Sequence, residues 1–304
     1  MVYVLFALGL VGLFLGGEFL VRGSVGIAQR LVIPPLIIGL TVVGFGTSMP
    51  ELLVSVQAAL AGAPDIAIGN VIGSNIANVL LILGLTALVL PVPISFERTK
   101  RDFIVVVAAS LVLWGILFGG MVFRWQGIGL VAALLIYLAV SIRAGKEVEH
   151  EALDVPSAAL GLSPLIALGG LVVLIIGAKL LVESASEIAR DFGVSEAVIG
   201  LSIVAIGTSL PELATSAMAA LRGHSEIAVG NIVGSCIFNI LGILGITAIV
   251  EPIPVDPRFA HLDMGVAVAA ILAMLWFAIR PGQVGRAGGA VLLAGYAAYM
   301  VLLA

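Results

Sequence analysis

Charge is what this sequence has least of. Only 11% of its 304 residues are Asp, Glu, Lys or Arg, where a soluble domain carries about a quarter. There is one cysteine, Cys236, so no disulfide framework can form within the chain. The three histidines, His150, His224 and His261, fall in loops or at the ends of apolar runs, and there is no HExxH pattern. A histidine zinc site and metalloprotease chemistry are therefore excluded. No basic tail or patch faces a partner with a phosphate backbone, which argues against nucleic acid. The net charge of −4 comes mostly from short loops and says little about partners.

In place of charge the chain has apolar runs such as "LFALGLVGLFLGG" and "VVLIIGAKLLV". Hydrophobic residues make up 61% of it, and the mean hydropathy is +1.25. One soluble core cannot bury all of this, so the sequence predicts an all-α polytopic membrane protein. A spanning helix needs roughly 20 apolar residues. Punctuation by Pro, Gly and charge predicts ten spans, near 2–30, 36–61, 67–90, 103–121, 125–143, 163–190, 197–221, 227–250, 262–280 and 284–303. The start, "MVYVLFALGL", lacks a basic leader region and a small-residue cleavage site, and reads as the first span.

Lys and Arg set the expected orientation. With the N-terminus outside, the inner loops and span ends hold Arg30, Arg98, Lys100, Arg101, Arg143, Lys146, Arg222, Arg280 and Arg286. The outer ones hold only Arg124, Arg190 and Arg258. Both termini are therefore expected outside, with the linker 144–162 cytoplasmic.

The sequence also repeats itself. "GFGTSMPELLVS" (44–55) returns as "AIGTSLPELATS" (205–216), and "DIAIGNVIGSNIANVLLILGLTALVLPVP" (65–93) returns as "EIAVGNIVGSCIFNILGILGITAIVEPIP" (226–254). The offset is 161 throughout, and more than half the positions from Ile38 to Pro93 are identical. Apolar segments share Leu, Val and Ile by chance, but not Gly, Pro, Asn, Thr, Ser and Glu in register. Residues 1–143 and 163–304 are thus expected to be two five-span halves. An odd number of spans per half inverts the second in the membrane, an arrangement typical of secondary transporters.

The shared polar residues carry the chemistry. Pro50 and Pro211 should break or kink their helices, because proline lacks an N–H and clashes with the preceding turn. The freed carbonyls lie around Gly44 to Thr47 and Ala205 to Thr208. Irregular backbone at membrane depth is tolerated where it is buried in protein or lines a cavity. Glu51 and Glu212 are the matching carboxylates, with the hydroxyls of Thr47, Ser48, Thr208 and Ser209 one turn away. Ser74 and Asn78 share a helix face at i,i+4, as do Ser235 and Asn239. All of these are oxygen donors, which suit Ca²⁺, Mg²⁺, Mn²⁺ and Na⁺ rather than copper or structural zinc.

Magnitudes favour a bound ion. An acidic residue at the bilayer centre costs about 2.5–3.5 kcal/mol on insertion scales, so two need a compensating partner. Two carboxylates neutralise one divalent ion or two monovalent ions, which makes one site with two alternative fillings. The ordinary reading of the carboxylates is protonated helix glue, and the duplicated register argues against it. Single hydroxyls can equally serve the backbone. Asn70 and Asn231 follow glycines at the start of a span, where capping competes with ion contact. Cys236 replaces the mate of Asn75 and reads as packing. Glu18 and Lys179, also related by the offset, are expected to pair with each other or, for Glu18, with Arg22, or to reach toward the interface.

The duplicated "GTS-x-PE" followed by "GN-x-x-GS-x-x-x-N" resembles the repeats of the calcium/cation antiporter superfamily, with the sodium/calcium exchangers as the nearest branch. The resemblance covers nearly the whole chain. It implies a prokaryotic cell-membrane antiporter without a cofactor, whose transported ions are Ca²⁺ and Na⁺. Spans 2, 3, 7 and 8 would hold the ions, and spans 1 and 6 would form a tilted unit that slides across them. Glu51 and Glu212 would be shared ligands, joined by oxygens at Gly44, Thr47, Ser48, Ala205, Thr208, Ser209, Ser74 and Ser235. Asn78 and Asn239 fall at the remaining core positions. Several family members carry Asp at one of these two, so two asparagines resemble the potassium-independent pattern. A proton-driven calcium exchanger on the same scaffold is the alternative, and the hydroxyls favour sodium. An enzyme is not expected: no base accompanies Ser48 or Ser209, and every Asp falls near a span edge or loop.

Overall fold

The computed structural model describes residues 1–31, 33–145, 161–193 and 205–303. The chain opens with α1 (Val2–Leu31), whose 30 residues span about 45 Å at 1.5 Å each. That exceeds a hydrocarbon core of about 30 Å, so the helix must tilt or protrude. Helix α2 (Pro35–Thr47) and α3 (Met49–Leu60) meet at a 44° bend. Next come α4 (Pro64–Val89), strand β1 (Val92–Pro93), α5 (Phe96–Leu117), β2 (Met121–Val122) and α6 (Arg124–Gly145). The second half holds α7 (Ser163–Asp191), the short α8 (Ala205–Gly207), α9 (Leu210–Leu221), α10 (Ser225–Val250), β3 (Ile253–Pro254), α11 (Phe259–Ile279), β4 (Gln283–Val284) and α12 (Arg286–Leu303).

The predicted all-helical class holds, apart from four two-residue strands that the sequence did not announce. Among the described residues, seven helices are long and apolar enough to cross a membrane, and the bent α2–α3 pair makes an eighth. Two of the ten predicted spans fall outside this set. Helix α5 opens with Arg98, Lys100, Arg101 and Asp102, which leaves only its later part apolar. The span predicted at 197–221 begins in residues outside those described, as does most of the linker 144–162.

Polarity runs from the inside out. Leu8, Phe14, Leu53, Leu111, Leu135, Leu165 and Val291 are exposed, while Thr47, Ser48, Glu51, Asn78, Glu212, Asn231 and Asn239 are buried. That inversion suits lipid outside and a polar site within. Helices α4 and α10 are the most enclosed, with 78% and 89% of their most apolar stretch buried, against 28% for α6 and 17% for α12.

The repeat reappears in the contacts. Strand β1 pairs with β4 (Val92 opposite Val284) and β2 with β3 (Met121 opposite Pro254). Adding 161 to Val92 gives Ile253, and to Val122 gives Gln283, so the two ladders exchange under the repeat. Tyr137 on α6 donates to Asp102 on α5 at 3.0 Å, and Tyr299 on α12 donates to Asp263 on α11 at 2.8 Å. Both aspartates lie near span edges, as expected, yet both are buried.

Helices α1 and α7 pack backbone to backbone. A Cβ at Gly16 would stand 2.5 Å from the Leu174 amide nitrogen, so only glycine permits this crossing. Glu18 pairs with Arg22 at 3.8 Å, one of the two expected partners, but accepts its shortest contact from Arg222 Nε, 2.7 Å away at the end of α9. Lys179 pairs with Glu183 at 3.7 Å. A Gly16→Ala variant should lose about 1–3 kcal/mol of stability through overpacking. Gly129, whose added Cβ would meet nothing within 4 Å, should tolerate alanine. Thermal melting of the two detergent-purified variants checks this, and equal midpoints would contradict it.

Candidate ion-binding site

Both helix breaks have the same form. Ser48 has φ −86° and ψ 7°, and Ser209 has φ −90° and ψ 5°, a sparsely allowed turn conformation. Immediately after each, Pro50 and Pro211 fall in the first turn of the new helix, where the missing N–H costs nothing. Glu51 and Glu212 share those first turns, so the positive ends of α3 and α9 favour their ionised forms.

The halves then exchange contacts. Ser48 donates to Glu212 Oε1 at 2.8 Å, and Ser209 donates to Glu51 Oε1 at 3.4 Å. Each carboxylate is thus cupped by the break of the other half. Both are 1% exposed, and they are close enough to repel each other.

The second oxygens are different. Glu51 Oε2, Glu212 Oε2, Asn78 Oδ1 and Asn239 Oδ1 are buried and have no hydrogen-bond partner. Buried acceptors of this kind are rare and need an explanation, such as an ion. Asn78 and Asn239 each lie at the start of a widened π-helical turn, Ala77–Leu83 and Phe238–Ile243. Such turns recur at functional sites.

The other predicted donors are less open. Thr47 Oγ1 lies 3.0 Å from Val43 O and 3.1 Å from Asn231 Oδ1. Ser74 donates to Asn70 O at 2.6 Å, and Ser235 to Gly44 O at 3.3 Å, so the Gly44 carbonyl is already engaged. Ala205 stands at the head of α8, bordering the residues outside those described.

Asn70 and Asn231 neither cap their own helices nor join the open oxygens. Asn70 Nδ2 donates to Glu51 O at 2.9 Å and Ser55 Oγ at 2.8 Å. Asn231 repeats this toward Glu212 O at 3.2 Å and Ser216 Oγ at 2.9 Å. These amides tie each glutamate's backbone to the neighbouring helix. Ser55 and Ser216 were not singled out in the sequence, although they match at the offset. Their signal was the serine shared at the end of each quoted repeat.

Buried oxygen donors around two carboxylates, inside a helical membrane fold, are the equipment of a cation transporter rather than of a hydrolase. The chain belongs to the sodium/calcium exchanger protein family, which it matches over residues 1–143 and 162–304. It is 36% identical to the inner membrane protein YrbG of Escherichia coli, over 98% of this chain and 96% of the relative. It is 32% identical to the sodium/calcium exchanger MaX1 of Methanosarcina acetivorans, over 99% of this chain and 98% of the relative. Among solved structures, the sodium-calcium exchanger NCX_Mj soaked with 10 mM Na⁺ and zero Ca²⁺ is similar at a TM-score of 0.89 and 33% identity, covering 100% of both chains. The protein is therefore a membrane-embedded cation/calcium exchanger and not an enzyme.

Asn231 is fully buried and also accepts from Thr47, whereas Asn70 is half-buried. Asn231→Ala should therefore cost more stability than Asn70→Ala. About 1–3 kcal/mol is expected for each group left unsatisfied. Thermal melting of the two variants tests the order, and a larger loss for Asn70→Ala would contradict it.

Proposed function

We propose that the protein exchanges Na⁺ for Ca²⁺ by alternating access, at one site formed by Glu51 and Glu212 near the middle of the membrane. The observation that carries this reading is the set of four buried, unpartnered oxygens from Glu51, Glu212, Asn78 and Asn239. Two carry formal charge and two do not. One Ca²⁺ or two Na⁺ balance the carboxylates, and each filling excludes the other by charge and space.

The serines give the site a simple switch. A hydroxyl can donate or accept. Ser48 and Ser209 donate to the carboxylates here. A bound cation turns their lone pairs inward and their hydrogens away. The Thr47, Thr208, Ser74 and Ser235 hydroxyls and the Gly44 and Ala205 carbonyls complete the ligand set through their oxygen lone pairs, with Gly44 O also accepting from Ser235. An empty site leaves two carboxylates repelling each other in a dry interior, which disfavours the transition between inward- and outward-facing forms. Only filled states cross, and that makes the protein an exchanger rather than a leak.

The two halves enter the membrane from opposite sides, with both termini outside and the linker cytoplasmic. Helices α1 and α7 slide as one tilted unit past the site-bearing helices, and their backbone-close packing supports treating them as a unit. The Glu18–Arg222 contact joins this unit to α9 and is the kind of contact that sliding must break.

In reconstituted vesicles, an imposed Na⁺ gradient should drive radiolabelled Ca²⁺ uptake, and adding K⁺ should not stimulate it. Glu51→Gln and Glu212→Gln should each reduce uptake to background while the protein stays folded. Uptake driven by a pH gradient alone would contradict sodium exchange and favour the proton-driven alternative. Normal exchange in either glutamine variant would remove the site from the mechanism.

A further inference from the structure

An asparagine beside a cation has a right and a wrong end. Its Oδ1 attracts the ion, while its Nδ2 carries two hydrogens and repels it. A carboxylate has no wrong end. With asparagine at both 78 and 239, the protein needs something to hold each amide oxygen-inward.

A backbone carbonyl provides the fixed reference. Asn75 Nδ2 donates to Cys236 O at 3.3 Å. A carbonyl can only accept, so the Asn75 amide has one workable orientation. Its Oδ1 is then directed at Asn239 and accepts from Asn239 Nδ2 at 3.0 Å. That contact holds the nitrogen of Asn239 and leaves its Oδ1 buried and unpartnered.

The matching position in the second half is Cys236, which lies 161 residues after Asn75. Its Sγ donates to Asn75 O at 4.0 Å. Asn78 Oδ1, the matching amide oxygen, is likewise buried without a partner. Asn75 on α4 thus orients Asn239 on α10, and the carbonyl and thiol of Cys236 on α10 hold Asn75 in turn. All four residues are buried.

We infer that Asn75 is a positioning residue that sets the polarity of the Asn239 amide, so that its oxygen faces the cation. This rests on the ion site proposed above. It gives a role to a position at which the repeats differ, Asn75 against Cys236.

The test is a double-mutant cycle on the full-length protein, with Ca²⁺ binding followed by calorimetry. Leucine at 75 removes the acceptor at similar volume and frees Asn239 to turn. Asn75→Leu should weaken Ca²⁺ binding tenfold or more. In an Asn239→Asp background, where either oxygen serves, the same Asn75→Leu change should alter binding less than twofold. Equal weakening in both backgrounds, as simple packing damage would give, overturns the inference, and so does no weakening in either. If Asn75→Leu does not fold, Asn75→Ala with and without Asn239→Asp provides the same cycle, read by the same criteria. Absence of Ca²⁺ binding by the wild-type protein would overturn the site reading itself, and the inference with it.

Discussion

Two carboxylates, Glu51 and Glu212, are buried within interaction range of each other. Among the described residues neither is paired with a basic side chain. Like charges in a dry interior are costly unless a counter-charge joins them, and the surroundings are arranged around that requirement. The helix breaks place each glutamate in a first turn, where the backbone dipole favours the anion. The serine of the opposite break holds one oxygen of each. The other oxygen is left open, together with the two asparagine oxygens, and a cation is the partner proposed for all four.

The surrounding packing follows from keeping such a site rigid and dry. Helices α4 and α10 carry the asparagines and are the most enclosed in the molecule. Helix α10 approaches α2 so closely that a Cβ on Gly234 would lie 2.5 Å from Leu40 O. Asn70 and Asn231 clamp the two glutamate backbones to the next helix. The helices α1 and α7 pack outside this group, with Glu18 reaching from α1 to Arg222. Polar bonds and close glycine contacts, rather than a hydrophobic driving force, hold helices together where the solvent is itself apolar.

Much of this was legible in the sequence because it was written twice. A lone Gly-Thr-Ser followed by Pro-Glu is a weak signal, but its return after 161 residues identified both breaks, both carboxylates and the hydroxyls. What could not be read were contacts between elements. Arg222 lies 204 residues from Glu18, and no local spacing joins them. Asn70 and Asn231 looked like caps because cap and clamp use the same amide, and only the fold decides which backbone it meets. The bond from Asn75 to the Cys236 carbonyl was not legible either, because a backbone acceptor leaves no mark in the sequence. The strands were too short to leave a pattern, and the charged first turns of α5 keep it outside the set of helices long and apolar enough to cross a membrane.

The central claim is that both ions use one site. Calcium binding to the purified protein, titrated at increasing Na⁺, tests it most directly. One shared site predicts that the apparent Ca²⁺ dissociation constant rises without limit as Na⁺ increases, more steeply than linearly because more than one Na⁺ displaces each Ca²⁺. An apparent constant that levels off at high Na⁺ would mean that both ions bind together at separate places, and would contradict it.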